Sequence, residues 1–546
     1  MAQEVNPPVE PSVTLLKRSG GLRSRRVLQD DLYHNAALYP DKPAVISGGV
    51  SHTYSELQQA ALRFAAALNQ RGINRGDRVA IYNRNTWECC VSIYGSQIAG
   101  GVLVVINPQT KTDKLKHIIE DSDATLLVSE AALAKFFLPA IASNTNVSNV
   151  ICAGAAKLIA RTSTAACPAE IEDFDVVLTK TSARDANADV IPVDLAALIY
   201  TSGSTGFPKG VMQTHQSMLF AVESIAEYLR LSADDRILNV LPLAFDYGLY
   251  QLLMAIHMGA TLVLELGFTY PAKVINTVIE NDVTVFPAVP TIFTMLLSMH
   301  AKTGLNLPSV RRVTNTAAAL PGHFIPTIQK IFPNALIFKM YGLTECKRVS
   351  YLEPELLGTK SASVGKAIPG TEVFLRSPQG DPVAVGDEGI LHVRGPHVML
   401  GYWKNPEKSK RMLKPGKFPG DRVLCTQDWF RIDEEGFLYF CSRSDDIIKT
   451  RGEKVSPTEV ENVLSRIEGV REVAVVGVAD DLLGQSIAAF LALEKNATLS
   501  PQDVISFCAS RLESFMVPSS VVFLAELPKT PSGKISKKSL PIEPGS

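Results

Sequence analysis

The chain lacks any stretch long and apolar enough to span a bilayer. Its longest apolar run, 91–106, is broken by Ser92, Tyr94, Ser96, Gln97 and two adjacent glycines and falls short of the roughly 20 residues a spanning helix needs. The basic cluster at 17–26 precedes no signal-type apolar core, so it reads as a solvated leader rather than a targeting segment. No CxxC occurs among the eight cysteines, and a chain of this size needs no staples. Reduced thiols in a cytoplasmic protein are therefore expected, with Cys89 and Cys90 as core filling. A surplus of charge is missing too: 54 basic side chains against 55 acidic ones give a net charge of −1, and such a chain offers no global field for nucleic acid or for an anionic membrane. No internal repeat is visible.

What remains is an enzyme-like composition, 46% hydrophobic and 20% charged, over 546 residues, more than one hydrophobic core usually supports. The segment 43–53 alternates around Gly48 and Gly49 as a hairpin would. Ser55 with Gln58 suggests a capping box. Leu57, Ala61, Phe64 and Leu68 then mark one buried helix face, closed by Gly72. Apolar strand candidates at 77–82, 102–106, 124–130, 260–266 and 282–289 are separated by helical stretches, a rhythm that implies α/β architecture with doubly wound sheets. From about 362 the texture turns to short strands rich in Gly, Pro and Asp, a small β-rich subdomain. A charge-dense run at 441–454 precedes a new helix start, "SPTEVE", with Ser456 as cap and Pro457 at the first helical position. A boundary near 444 divides the chain into 1–444, a large N-terminal domain, and 445–546, a smaller mobile α+β C-terminal domain.

The stretch "YTSGSTGFPKG" (200–210) follows the apolar run 195–199. Backbone N–H groups of a glycine-rich loop can cradle phosphate, Thr201, Ser202, Ser204 and Thr205 add hydroxyls, and Lys209 adds charge. It is not a P-loop, because Phe207 and Pro208 stand before the lysine and Gly210 follows it.

"LIYTSGSTGFPKGVMQTH" resembles the signature of the AMP-forming adenylating enzymes, which include acyl-CoA synthetases, amino-acid adenylation domains and luciferases. Three more motifs follow in that family's order. "MYGLTE" (340–345) is similar to the loop that gives a threonine to the AMP phosphate and a glutamate to Mg²⁺, here Thr344 and Glu345. The region 426–461 resembles the one holding a ribose-binding aspartate and arginine, here Asp428 and Arg443, and a hinge residue, here Asp445. "PKTPSGKI" (528–535) resembles the loop with the catalytic lysine, here Lys534. By the same resemblance ATP and Mg²⁺ are the cofactors. Thr201, Ser202, Gly203, Ser204, Thr205 and Gly206 would hold phosphates, with Lys209 counted among the catalytic groups. Thr316, Ala317, Ala318, Tyr341 and Gly342 would line the nucleotide, and Gly452 a pantetheine tunnel. Two departures stand out: the family usually has glycine where this chain has Gln427 and Ser442.

The chemistry explains the residue types. A carboxylate oxygen must approach the anionic α-phosphate of ATP, so charge has to be neutralised there. One carboxylate, Glu345, suffices for Mg²⁺ shared with phosphate oxygens.

Two features bear on the acid. "LPLAFDYGLYQ" (241–251) places Asp246 where amino-acid adenylating members carry an aspartate for the substrate's α-ammonium group. The residue could also cap the helix that begins near Tyr247. An acid in an apolar pocket is costly unless paired, which favours the substrate role. Tyr247, Tyr250, Pro287, Val313, Met340 and Val349 would line the pocket. "TECKRVSYL" (344–352) is similar to versions in stand-alone prolyl adenylating enzymes and in some acyl-CoA ligases linked to polysaccharide export. Arg348 would there contact a carboxylate or phosphate, or hold the loop through an ion pair.

The first expectation is a ligase that adenylates a small, proline-like amino acid and loads the phosphopantetheine of a separate carrier protein. The alternative is an acyl-CoA synthetase that activates a non-amino carboxylic acid and passes it to CoA. A nucleotide-binding regulator without catalysis would have lost Glu345 or Lys534. Neither nucleic acid nor membrane is an expected partner.

Overall fold

The computed structural model describes residues 26–142, 146–156, 169–183, 188–201, 208–316, 320–443, 446, 448–450, 453–480, 484–512, 514, 516–530 and 533–542. The hairpin forms as its glycines dictate. Gly48 and Gly49, at φ of 58° and 82°, turn the strand Pro43–Ser47 into Val50–Thr53. The next helix, Tyr54–Gln70, starts earlier than the sequence suggests. Its capping box is Thr53 with Glu56, not Ser55 with Gln58: the Glu56 N–H donates to Thr53 Oγ1 at 3.2 Å and the Thr53 N–H to Glu56 Oε2 at 2.8 Å. Starting there turns Tyr54 inward, where its hydroxyl donates to the Ala260 carbonyl at 2.7 Å. Leu57, Ala61, Phe64 and Leu68 are fully buried as their spacing requires.

Two large sheets organise the first four hundred residues. One has parallel strands Arg78–Tyr82, Val102–Val105, Leu126–Glu130, Asn149–Ala153, Glu170–Asp173 and Leu195–Thr201, extended antiparallel by Lys209–Thr214 and Gly401–Tyr402. The other runs parallel through Pro43–Ser47, Thr261–Leu264, Arg236–Asn239, Val285–Ala288, Arg312–Asn315 and Leu336–Tyr341. Helices Trp87–Ile98, His215–Tyr228 and Asp246–Met258 share one hydrophobic core with both sheets, so they are buried almost all round. Cys89 and Cys90 fill that core.

The β-rich segment is an antiparallel sheet of Glu372–Arg376, Glu388–Arg394, Leu413–Pro415, Arg422–Ile432 and Leu438–Arg443. After it, Val470–Asp480 and Gly484–Leu493 form a long hairpin with separate small cores on its two faces. The helix Pro457–Leu464 begins at Ser456, as its sequence indicates. Among the described residues no helix is long and apolar enough to cross a membrane.

Candidate active site

Parallel strands deliver their ends to one crevice, the usual place for a ligand in open α/β sheets. Thr201 ends one strand, Asn315 and Tyr341 end two more, and Asp246 opens the helix that follows Arg236–Asn239. The segment after Tyr341 folds back on itself: the Val349 N–H donates to the Tyr341 carbonyl at 2.9 Å and the Arg348 N–H to the Cys346 carbonyl at 2.8 Å. Gly342 makes the closure feasible, since a Cβ there would lie 2.2 Å from the Lys347 carbonyl oxygen. Lys347 itself takes a left-handed backbone, φ 64°, a conformation that non-glycine residues adopt at a cost.

This loop sets Glu345 against the sheet that carries Lys209. The Glu345 carbonyl accepts from the Met399 N–H at 2.8 Å, and its carboxylate accepts from the Tyr402 hydroxyl at 2.6 Å. Lys209 Nζ stands 4.0 Å from the same carboxylate and donates to the Tyr402 oxygen at 3.3 Å. Burial, with Lys408 nearby, lowers the Lys209 ammonium to about 8 against the pull of Glu345. The carbonyl of Thr344 accepts from Gln213 Nε2 at 3.4 Å. Thr201 Oγ1 is buried and has no hydrogen-bond partner among the described residues, the state expected of a hydroxyl awaiting a phosphate oxygen.

Asp428 and Arg443 face each other across paired strands, Oδ1 to Nε at 3.3 Å. The Tyr341 hydroxyl donates to Asp428 Oδ2 at 2.5 Å. Burial raises the Asp428 pKa while Arg443 and Tyr341 oppose it. Gln427, which stands where a glycine is usual, keeps the glycine conformation at φ 64°. The backbone that presents Asp428 is thus retained at the cost of strain. Ser442 shows no such strain.

Lys534 enters the crevice on a tight turn. Its carbonyl accepts from the Thr530 N–H at 2.7 Å, and at the preceding Gly533 a Cβ would lie 3.1 Å from Thr291 Oγ1. Its side chain is water-accessible yet ringed by protein. Desolvation and Arg443 lower its pKa, while Asp246, Asp428 and Glu345 raise it. Residues more than one hundred positions apart therefore share one electrostatic environment.

The acid-side residues also assemble. Tyr247 donates its hydroxyl toward Thr314, 2.7 Å to Oγ1 and 2.9 Å to the carbonyl, while the Tyr250 hydroxyl is buried without a partner. Val313, Met340 and Val349 are buried beside them, and Pro287 lies in the neighbouring strand. Asp246 is not the helix cap: Phe245 holds that position, and Asp246 is the first helical residue, accepting from the Tyr247 N–H at 2.9 Å. Among the described residues Arg348 forms no ion pair. Its guanidinium donates to Thr316 Oγ1 at 2.7 Å, so the Thr316 hydroxyl expected at the nucleotide is committed to Arg348. The remaining expectations, Ser202, Gly203, Ser204, Thr205, Gly206, Ala317, Ala318, Asp445 and Gly452, lie outside the described residues.

Sequence reasoning missed three contributors. Lys347 is 3% exposed, and burial pushes its ammonium down to about 8, against the attraction of Asp246 and Glu345. Its only signal is a second cation beside Arg348, two residues after Glu345. Tyr402 and Gln213 reach Glu345 and Thr344 through pairing of distant strands, which no local pattern encodes.

A buried hydroxyl without a partner among the described residues, a carboxylate beside a lysine and an acid–arginine pair are groups that a nucleotide-dependent acid-activating ligase requires. The chain belongs to the AMP-binding enzyme family, whose profile matches residues 32–403, with the AMP-binding enzyme C-terminal domain matching 459–534. It is 30% identical over 537 residues to a long-chain-fatty-acid–CoA ligase of Bacillus subtilis (strain 168), covering 94% of both chains. It is 33% identical over 513 residues to a methyl-dioxo-octahydroindenyl-propanoyl:CoA ligase of Rhodococcus jostii (strain RHA1), covering 91% of this chain and 95% of that one. Among solved structures it is similar to an anthranilate CoA ligase in complex with anthranoyl-AMP, at TM-score 0.83, 25% identity and coverage of 93% and 95%. It is also similar to o-succinylbenzoate CoA synthetase from Bacillus subtilis with ATP and magnesium ion, at TM-score 0.78, 27% identity and coverage of 93% and 98%. The protein is an AMP-forming acid–thiol ligase that uses ATP and Mg²⁺, adenylating a carboxylic acid and then forming a thioester. The residues present fit both: Thr201 Oγ1 is a buried oxygen without a hydrogen-bond partner among the described residues, and Glu345 offers one carboxylate near Lys209, as Mg²⁺ shared with phosphates requires.

Proposed function

We propose that the chain is an acyl-CoA synthetase: it activates a non-amino carboxylic acid and transfers it to CoA. One observation carries this over the amino-acid reading. Asp246, expected to pair with a substrate ammonium, already stands in the field of two cations of the chain's own, favouring the charged forms of Lys347 and Lys534. A substrate ammonium would have to compete with Lys347 for that carboxylate. The relatives and neighbours described above, all CoA ligases, support the same reading.

In the first step Lys534 neutralises the acid's carboxylate and the α-phosphate as their oxygens close, and Lys209 with the Thr201 hydroxyl holds the phosphates that leave as pyrophosphate. Glu345, oriented by Tyr402, is the protein ligand for Mg²⁺, and Asp428 accepts hydrogen bonds from the ribose diol. Thr344 contacts the AMP phosphate. In the second step the segment from 445 onward rotates about Asp445, withdrawing Lys534 and bringing Gly452 to the thiol path. The test is thioester formation with CoA and with holo carrier protein, across amino acids and plain carboxylic acids. CoA thioesters of non-amino acids are expected. Loading of a carrier protein with amino acids only would overturn the proposal.

A further inference from the structure

Arg348 is a buried cation that no carboxylate among the described residues pairs with. It is 5% exposed and lies against the first turn of the helix Asp246–Met258, its guanidinium 5.5 Å from the Tyr247 ring centre. One nitrogen donates to Thr316 Oγ1, while Nε is buried without a hydrogen-bond partner. Its charge is felt by three tyrosine hydroxyls, Tyr228, Tyr247 and Tyr250. Among the described residues it forms no ion pair with any carboxylate. Lys347, adjacent in sequence, has its Nζ buried and equally without a hydrogen-bond partner, 5.8 Å from the Tyr250 ring centre.

Counting charge around the pocket shows what is missing. Lys534 serves the carboxylate that reacts, and Asp246 offsets Lys347. Arg348 is left with the neutral hydroxyls of Thr316 and Tyr228 and with the Tyr247 ring face. An isolated buried guanidinium is costly, and such a group persists where a ligand supplies the anion. Guanidinium pairs with carboxylate through parallel N–H···O bonds, and the unfilled Nε is one of the fork positions used in that geometry.

Resting on the acyl-CoA synthetase reading, we propose that the activated acid is a dicarboxylic acid, whose second carboxylate is received by Arg348, with the Tyr250 hydroxyl and Lys347 as further donors. Arg348 is then a specificity-determining residue that takes no part in the bond changes. The aromatic faces of Tyr247 and Tyr250 enclose the spacer between the two carboxylates. A plain alkyl acid would bury its tail against an unneutralised cation and lose the pairing.

The test compares CoA-dependent AMP formation by the full-length protein for a graded series of straight-chain and aromatic diacids, each beside the monoacid of equal length. For the best diacid, kcat/KM is expected to exceed that of its monoacid partner by at least about tenfold, the factor a charge-assisted hydrogen bond supplies. Arg348→Met should erase that ratio, mainly through KM for the diacid. Arg348→Lys, which keeps the charge and the fold, should retain part of it. A wild-type preference for the monoacid in every pair would overturn the proposal, as would an unchanged ratio in Arg348→Met. Either result leaves the CoA ligase reading standing. Carrier loading by amino acids with no CoA-dependent turnover of any acid in the series would instead sink that reading and the proposal with it.

Discussion

Replacing Lys347 by Met should make the protein more stable near neutral pH. The ammonium is enclosed by protein, has no hydrogen-bond partner, and is pushed from its ordinary 10.5 to about 8 by desolvation, which Asp246 and Glu345 only partly offset. Keeping a proton on this lysine in the fold rather than in the unfolded chain therefore costs about 3 kcal/mol. The sign follows from the depressed value. Below about pH 8 both states hold the proton and the full cost is present. Between there and about 10.5 only the unfolded chain still binds it, so stability rises with pH; above that range the cost is gone. Met has similar length and no charge, and repacking should cost under about 1.5 kcal/mol. A net gain of roughly 2 kcal/mol is expected near neutral pH, read as an increase in the urea midpoint at unchanged slope. The gap between variant and wild type should close as pH approaches 10.5, which separates Lys347 from the other lysines common to both proteins. A variant less stable than wild type near neutral pH, or a gap independent of pH, would refute the argument that this ammonium is held at a cost.

Lys209 should set an alkaline limb: kcat/KM for ATP is expected to fall as pH rises through about 8, because the free enzyme loses the cation that meets phosphate, and Lys209→Arg should move that limb out of range. Tyr402→Phe removes the donor on Glu345, and should raise the Mg²⁺ concentration needed for half-maximal adenylation by about tenfold, the loss expected for a hydrogen bond to a charged group; an unchanged requirement would mean Glu345 needs no orienting. Gln427→Gly relieves a left-handed backbone and should stabilise by up to about 1 kcal/mol with KM for ATP unaltered, checked by denaturation and steady-state kinetics. Lys534→Ala should suppress adenylation by at least about a hundredfold while thioester formation from preformed acyl-AMP falls far less; equal losses in both steps would count against a rotating second domain.

Several elements were legible without coordinates because their cause is local. The hairpin at Gly48–Gly49 follows from backbone freedom, the face of Leu57, Ala61, Phe64 and Leu68 from helical period, and the start at Ser456 from capping chemistry. Placing the first capping box at Ser55 failed because two overlapping cap sequences compete, and burial of Tyr54 chose the earlier one. Motif order likewise brought Thr344, Glu345, Asp428 and Lys534 to attention, since each sits in a short ordered pattern. Asp246 was picked out by its motif, but the chain's own cations near it, Lys347 and Lys534, come from segments the motif does not contain.

The sequence by itself determined the class of chemistry: four short motifs, at 200–210, 340–345, 426–461 and 528–535, stand in the order of the AMP-binding enzyme family to which the chain belongs. Only the tertiary structure decided how the charges are shared. Lys347 comes under the charge of Asp246 where Gly342 lets the loop turn back on itself, Glu345 meets Tyr402 because strands almost two hundred residues apart pair, and Arg348 meets tyrosines and a threonine but no carboxylate among the described residues. Charge balance in a buried site depends on distances between segments remote in sequence, and those distances are set by packing rather than by any local motif.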